Sequence, residues 1–384
     1  MHNFWTALFG TIAAIWIVQS VRAIHGMLHV PYLEQTAPVS DSEAPAISII
    51  LAARDEADKL REALATLLAQ DYPRYEVVAV NDRSRDATGD ILREFSRTSN
   101  RLKVITIAQL PPGWLGKPHA LTRGTQQASG EWLVFTDADV QFAPDVLRRA
   151  MRMATDRKWD HLALFSGFDL NGFWEITTIT FFCLGFIFGN EPWLASNPRS
   201  ARYVGIGAFQ LLRRSVYDAV GGHGALAMEV VEDMKLGKLV KRGGFTSGLG
   251  IATESIRLRW YSGAGNIVRG LTKNMFAATG FSLPLALGGI LLTLAMSVLP
   301  FVGVVLASGW ARIFAGLAAC VALAVHAGVA KRAKVSLWYG LTHPLGASLF
   351  AYIIARSTVV TLARGGIVWR GTFYRLKELR RGSV

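Results

Sequence analysis

The sequence predicts an α/β protein on a mainly parallel sheet, with N-terminal and C-terminal transmembrane helices. Three observations carry this. Short apolar runs alternate with helical patterns between about residues 45 and 170. Four apolar segments of about 18 residues or more, roughly the length that crosses a hydrocarbon core, lie outside that stretch. The 384 residues are 51% hydrophobic with mean hydropathy +0.29, more apolar than an ordinary soluble domain.

The first apolar segment, 4–21, has no basic n-region before it and no small-residue cleavage site after it, so it reads as a retained anchor. Arg22 then places the following region on the cytoplasmic side. Next come a strand at 47–52, a helix at 57–68, a strand at 76–80, a helix at 86–95, a strand at 103–107, a helix at 120–128 and a strand at 131–136. Such alternation means βαβ units and a parallel sheet.

Residues 173–195 are apolar and aromatic yet carry Glu175, Asn190 and Glu191, and read as an amphipathic piece lying in a membrane surface, with a buried core helix as the rival. Three further apolar segments follow at 283–306, 313–330 and 345–362. Three full crossings after a cytoplasmic domain would put the basic tail outside, against the positive-inside tendency. Gly288, Gly289 and Pro300, or Pro344, are where a re-entrant or interfacial piece is expected.

The formal net charge is +13, with clusters at Lys331, Arg332 and Lys334 and at Arg364, Arg370, Arg375, Lys377, Arg380 and Arg381. Beside membrane segments this excess fits anionic lipid and speaks against a nucleic-acid partner. The two cysteines, Cys183 and Cys320, sit in apolar surroundings, give neither a disulfide framework nor a metal cluster, and read as small buried hydrophobes.

In parallel sheets ligands gather beyond the carboxyl ends of the strands. That is where the polar residues stand: Arg54-Asp55-Glu56, Asn81-Asp82-Arg83-Ser84 and Asp137-Ala138-Asp139. Residues two apart in an extended chain point the same way, so Asp137 and Asp139 can share one point in space. Two carboxylates that close repel unless a cation lies between them. A hard divalent ion such as Mg²⁺ or Mn²⁺, completed by water and phosphate oxygens, suits them.

"VNDRSRDATGD" reads equally as a turn and helix cap through Ser84 and Asp86 and as a binding loop in which Asp82 accepts from a ring N–H or a ribose hydroxyl. Lys117 in "LPPGWLGKPHAL" offers a point charge for a phosphate, without the spacing of a Walker loop. "GIGAF" has two glycines of a dinucleotide fingerprint but Gln210 where the third belongs, which disfavours a Rossmann dehydrogenase. In "MEVVEDMKLGKLVKRGG" Glu232 and Asp233 open a helix; the dipole accounts for one acid there and leaves the second unexplained. The stretch with Arg257, Arg259, Trp260 and Tyr261 reads as an interfacial anchor or as a pyrophosphate and acceptor contact.

Taken in order, "ILAARDEADKLREALATLLAQDYP", "VNDRSRDATGD", "PPGWLGKPHAL", "GEWLVFTDADV", "GIGAFQLLRR", "VVEDMKL" and "RLRWY" resemble the membrane-anchored bacterial branch of the family-2 glycosyltransferases with the GT-A fold. The "PPGW-x-GK" element and "GGIVWRGTFYRL" look like the hopanoid- and carotenoid-associated members. The resemblance implies a GT-A domain over about 45–275, after an anchor at 1–30 and before a membrane helical region at 281–363 and a basic tail at 364–384.

It implies further that Asp82, with Glu56 nearby, contacts the base and ribose of a UDP-sugar, and that Lys117 lies near the phosphates. Asp137 and Asp139 would hold nucleotide and metal, with Asp139 the direct ligand. Asp233 would be the catalytic base beside Glu232, and Arg257, Arg259 and Trp260 would complete the donor site. Processive members carry Gln-x-x-Arg-Trp, whereas Ile256 stands first here, which favours transfer of a single sugar. The reading is an inverting, metal-dependent enzyme acting on a lipid-type acceptor at the inner membrane, with its catalytic domain cytoplasmic. A processive polysaccharide synthase and a silent membrane scaffold are the alternatives.

Overall fold

The computed structural model describes residues 2–382 and 384. The chain runs α1 (His2–Leu28), β1 (Ile47–Ala53), α2 (Ala57–Leu68), β2 (Tyr75–Asp82), α3 (Thr88–Thr98), β3 (Leu102–Ile107), α4 (Gly116–Gln127), β4 (Trp132–Asp137), β5 (Gln141–Phe142), α5 (Val146–Asp156), β6 (His161–Phe168) and α6 (Phe173–Asn190). It continues with β7 (Gln210–Arg213), α7 (Arg214–Ala219), α8 (Glu232–Arg242), β8 (Ser247–Leu258), α9 (Ala264–Thr272), α10 (Met275–Ala278), α11 (Leu283–Ser297), α12 (Leu299–Leu306), α13 (Gly309–Arg332), α14 (His343–Arg364), β9 (Gly366–Trp369), β10 (Thr372–Arg375) and α15 (Leu376–Arg381). These elements fall into two compact units.

The larger unit, Val30–Asp169 with Pro192–Trp260 and Arg370–Val384, holds a sheet in the order β3-β2-β1-β4-β7-β6-β8-β5. The half formed by β3, β2, β1 and β4 is wholly parallel. Beyond it β7 runs antiparallel between β4 and β6, and β5 pairs antiparallel with β8. The sheet is therefore mixed, with its parallel part under the predicted site. β1 and β2 are buried along nearly their whole length, as strands covered on both faces are. Alternate residues of β1 serve opposite cores: Ile49 and Leu51 pack with Leu60 and Leu64 of α2, while Ile50 packs with Leu121 of α4 and Leu236 of α8. Helices on both faces thus approach one sheet edge.

Strand order reverses at β1: β2 and β3 lie on one side of it and β4 on the other. Such a switch point opens a crevice at the carboxyl ends of the strands. Register fixes what lines it, since Ala53 pairs with Asn81 and Ala52 with Asp137, so the residues after β1, β2 and β4 emerge side by side.

The smaller unit comprises the chain up to His29, Leu170–Glu191 and Tyr261–Trp369. Four helices, Asn3–Leu28, Phe173–Ser196, Gly309–Arg332 and Leu337–Arg364, are long and apolar enough to cross a membrane. The pair α11 and α12 is bent by 41° and counts as a fifth crossing if it is one broken span. The bend falls at Val298, just before Pro300, one of the four residues at which an interruption is expected, and not at Gly288 or Gly289, which lie inside α11. Many large apolar side chains here face outward, among them Leu291, Leu292, Val305 and Trp310.

Some polar groups inside this unit are paired across helices. Trp16 Nε1 donates to the Met296 carbonyl at 2.9 Å, and His326 Nε2 lies 2.9 Å from Thr180 Oγ1. The acids of α6 are tied down at its two ends. Glu175 accepts from the Gly263 and Asn171 amides, and Glu191 pairs with Arg22 at 2.6 Å. Cys183 is buried, whereas Cys320 is exposed on α13, contrary to the expectation that both are interior.

Candidate active site

Three loops leaving the parallel half of the sheet, and two helix starts from the opposite face, bring the predicted residues together. The loop after β1 carries Glu56, β2 ends on Asp82, and β4 ends on Asp137 with Asp139 just beyond. α4 contributes Lys117 in its first turn, and α8 opens on Glu232 and Asp233.

Lys117 joins the two sides. Its Nζ lies 2.6 Å from Asp137 Oδ1 and 2.6 Å from Glu232 Oε1. Burial alone would lower its pKa; Asp137, Glu232 and Asp233 outweigh that and hold it well above the ordinary lysine value. Asp233 is fixed by backbone: its Oδ2 accepts from the Gly207 amide at 3.0 Å and its Oδ1 from the Met234 amide at 2.8 Å. Burial raises the pKa of both Glu232 and Asp233, with Lys117 opposing.

The glycines of "GIGAF" have a packing role rather than a dinucleotide role. A Cβ on Gly205 would run into the Asp233 carbonyl, and one on Gly237 into the Val204 carbonyl, so this segment and α8 touch backbone to backbone. At Gly207 a Cβ would stand 2.9 Å from Asp137 Oδ2 and 3.2 Å from Asp233 Oδ2. Glycine there keeps open the space between the two carboxylates.

Asp139 is met by a residue that the sequence reading passed over. Lys59, in the first turn of α2, places Nζ 2.8 Å from Asp139 Oδ2 and 2.7 Å from the Arg259 carbonyl. Burial, then the neighbouring Asp137, raise the Asp139 pKa against Lys59. Glu56 is pushed up to about 7 by burial, with Arg370 opposing and Asp139 and Asp137 adding to the rise.

Arg370, between β9 and β10, forms an ion pair with Glu56 Oε1. Its backbone has φ of +47°, a turn conformation that few non-glycine residues adopt. Tyr374 of β10 bonds to Arg83, so the segment after Arg370 lines the same edge.

Asp82 is buried and gripped by a fork from Arg83, with Nε to Oδ1 at 2.7 Å and NH2 to Oδ2 at 2.9 Å; Arg54 lies 3.9 Å away. The rest of "VNDRSRDATGD" works as a clip. Ser84 accepts from the Asp55 amide, Thr88 Oγ1 from the Glu56 amide and Asp86 from the Ala57 amide at the start of α2. Ser84 and Asp86 therefore hold the neighbouring loop and helix start, and Asp86 Oδ1 also accepts from the Thr88 amide at 3.0 Å, capping the start of α3.

The basic-aromatic stretch stands at the rim. Arg257 pairs with Asp169 through Nε at 2.9 Å, Trp260 stacks on Phe168 with centroids 6.1 Å apart, and Arg259 offers its carbonyl to Lys59. Ile256, the departure from the processive pattern, is fully buried in the core of β8.

Five carboxylates, Glu56, Asp137, Asp139, Glu232 and Asp233, face three cations, Lys59, Lys117 and Arg370. Burial first, and crowding by neighbouring carboxylates second, raise the pKa of Glu56, Asp139, Glu232 and Asp233. Among the described residues no group of three or more His, Cys, Asp or Glu is arranged to hold a metal ion. Asp137 and Asp139 are oxygen donors two residues apart, and Asp137 borders a space that a Cβ at Gly207 would fill, with Asp233 on its other side. Such a set suits a hard cation that brings water and phosphate oxygens as its remaining ligands.

Residues 48–221 match the model of the family described as Glycosyl transferase family 2. A poly-beta-1,6-N-acetyl-D-glucosamine synthase of Staphylococcus epidermidis is 30% identical over 38% of this chain and 34% of its own length. A beta-monoglucosyldiacylglycerol synthase of Trichormus variabilis is 34% identical over 27% of this chain and 22% of its own length. The chain thus spans about a third or less of the length of these two curated relatives. Among solved structures, a mannosyltransferase from Pyrobaculum calidifontis in complex with GDP-Man and Mn²⁺ aligns with TM-score 0.54 and 20% identity, covering 93% of this chain and 98% of that one. That likeness is one of fold.

Proposed function

We propose that this chain, whose residues 48–221 match the Glycosyl transferase family 2 model, is a membrane-bound, inverting glycosyltransferase moving one sugar from a nucleotide-diphosphate donor to a lipid-type hydroxyl. The observation that carries the proposal is the convergence of the β4 end and the α8 start on one lysine, Lys117.

Each residue then has a task. Asp82 and Glu56 receive the base and ribose, and Lys117 lies where it can meet diphosphate oxygens. Asp137 and Asp139 would hold Mg²⁺ or Mn²⁺, which when bound offsets charge on the departing diphosphate. Asp233 is the base. Its two oxygens are aligned by the Gly207 and Met234 amides, and its raised pKa favours taking the acceptor proton. Glu232 is engaged by Lys117 and keeps that lysine in place. The acceptor oxygen bonds to the anomeric carbon as the carbon–oxygen bond to diphosphate breaks, the electron pair leaves with the nucleotide, and the proton passes to Asp233. Displacement in line inverts the anomeric centre.

Several observations support the finer parts. The cation and the nucleotide-sugar class accord with the ligands named for the Pyrobaculum protein. A lipid acceptor accords with the glucosyldiacylglycerol synthase relative and with helices suited to a membrane. Cytoplasmic placement of the catalytic unit rests on Arg22 after the first apolar segment. A polymer product is the second reading, favoured by the poly-N-acetylglucosamine synthase relative. Donor cleavage by Asp233→Asn and Asp139→Asn proteins tests the assignment.

A further inference from the structure

We propose that Lys59 is a resident counter-cation for Asp139 that holds the divalent-cation position until the nucleotide-diphosphate arrives, so that metal and donor load together. This rests on the reading of Asp139 as metal ligand.

The geometry comes first. Lys59 Nζ is fixed by two acceptors on different elements, Asp139 Oδ2 at 2.8 Å and the Arg259 carbonyl at 2.7 Å. Asp137 already has Lys117, so Lys59 is the cation on Asp139 among the described residues. The position is also unusual for a lysine. The first turn of a helix carries a partial positive charge and disfavours cations, and Asp58 beside it is the acid expected there. A residue that breaks a local rule without a local gain points to a task in the site.

A second observation is the shape of the charge balance. Five carboxylates face three cations in the site, yet the oxygen of Asp139 nearest α2 is taken. A divalent ion on that carboxylate alone would stand beside the ammonium and be repelled by it. A diphosphate reverses the sign. It gives Lys59 an anionic partner in exchange for Asp139, while the ammonium keeps its hold on the Arg259 carbonyl. Ion and nucleotide therefore strengthen each other's binding, and such coupling is reciprocal. Lys59 is on this account a positioning residue whose charge sets the loading order.

The test is a Mn²⁺ titration of the full chain in lipid nanodiscs, followed by electron paramagnetic resonance, with and without UDP and, in parallel, GDP. Wild type should bind Mn²⁺ weakly alone and more tightly with the preferred nucleotide, and Mn²⁺ should raise nucleotide affinity by the same factor. Lys59→Gln should bind Mn²⁺ about five- to ten-fold more tightly than wild type without nucleotide, and gain less when it is added. Lys59→Arg, which keeps the charge, should resemble wild type.

Unchanged or weaker Mn²⁺ binding in Lys59→Gln, while Asp139→Asn abolishes it, overturns the role of Lys59 and leaves the metal assignment standing. Mn²⁺ binding insensitive to Asp139→Asn, or absent even with nucleotide, overturns both. Should Lys59→Gln fail to fold, the wild-type coupling decides: nucleotide and Mn²⁺ binding independently of each other contradicts the proposal.

Discussion

Asp137 and Glu232 share one ammonium: Lys117 Nζ lies 2.6 Å from a carboxylate oxygen of each, joining the end of β4 to the start of α8. Glu232 is buried while Lys117 and Asp137 are partly exposed, so removing the lysine strands one buried charge at a cost of about 1–3 kcal/mol, below that of a fully buried pair. Lys117→Met should therefore destabilise the protein on that order and abolish donor cleavage. Adding Glu232→Gln should recover most of the stability and none of the activity. Denaturation in detergent, read beside donor cleavage, checks both halves; an unaltered midpoint in Lys117→Met would contradict the pairing.

Two glycines on one segment should behave differently. A Cβ at Gly205 meets the Asp233 carbonyl, so Gly205→Ala is expected to impair folding. A Cβ at Gly207 meets only the side-chain oxygens of Asp137 and Asp233. Gly207→Ala should fold nearly as wild type yet lose about 10²-fold in turnover, the scale of a misplaced reacting group. Equal expression yields with equal activities would refute the distinction.

Glu56 should impose a pH dependence on stability. Its carboxyl is pushed up to about 7 by burial, against roughly 4.3 in an unfolded chain. The folded state thus holds a proton that the unfolded state releases. The contribution is fully present below about pH 4.3 and lost as pH rises through 7. Glu56→Gln should remove that loss, gaining on the order of 2 kcal/mol over wild type between pH 5 and 8. Arg370→Ala should move the titration upward, since Arg370 opposes the shift. Thermal unfolding across this range, and Glu carboxyl titration by infrared spectroscopy, measure the two effects.

Phe173 and Trp174, at the start of α6, are large and exposed. Replacing both with serine should lower transfer to a membrane acceptor more than hydrolysis of the donor. Equal losses in the two assays would argue that α6 serves packing alone.

What the sequence revealed follows local physics. The helix read at 57–68 is α2 to the residue, because an apolar stripe, Leu60, Leu64 and Leu67, repeats at helical spacing between polar ends. Asp82, Asp137 and Asp139 were legible as polar residues ending apolar strands. Lys59 and Arg370 were not: their partners lie 80 and 314 residues away, and such pairings leave no periodicity to read. The single local hint was a lysine at a helix start. β7 escaped because four residues are too few to show alternation, and with it the antiparallel pairings that β7 makes to β4 and β6. "GIGAF" invites comparison with a ligand motif, whereas Gly205 answers to the backbone of α8 and Gly207 to the carboxylates of Asp137 and Asp233, neighbours visible only once the segments meet.

The most direct test of the central claim is nucleotide release by the full chain in native-lipid nanodiscs, over a panel of UDP- and GDP-sugars with Mn²⁺, Mg²⁺ or EDTA, alongside Asp139→Asn and Asp233→Asn. The account predicts release from one donor, dependent on the divalent ion, with the sugar recovered on lipid and both variants inactive. Release that persists in Asp233→Asn, or that EDTA leaves untouched, would contradict it.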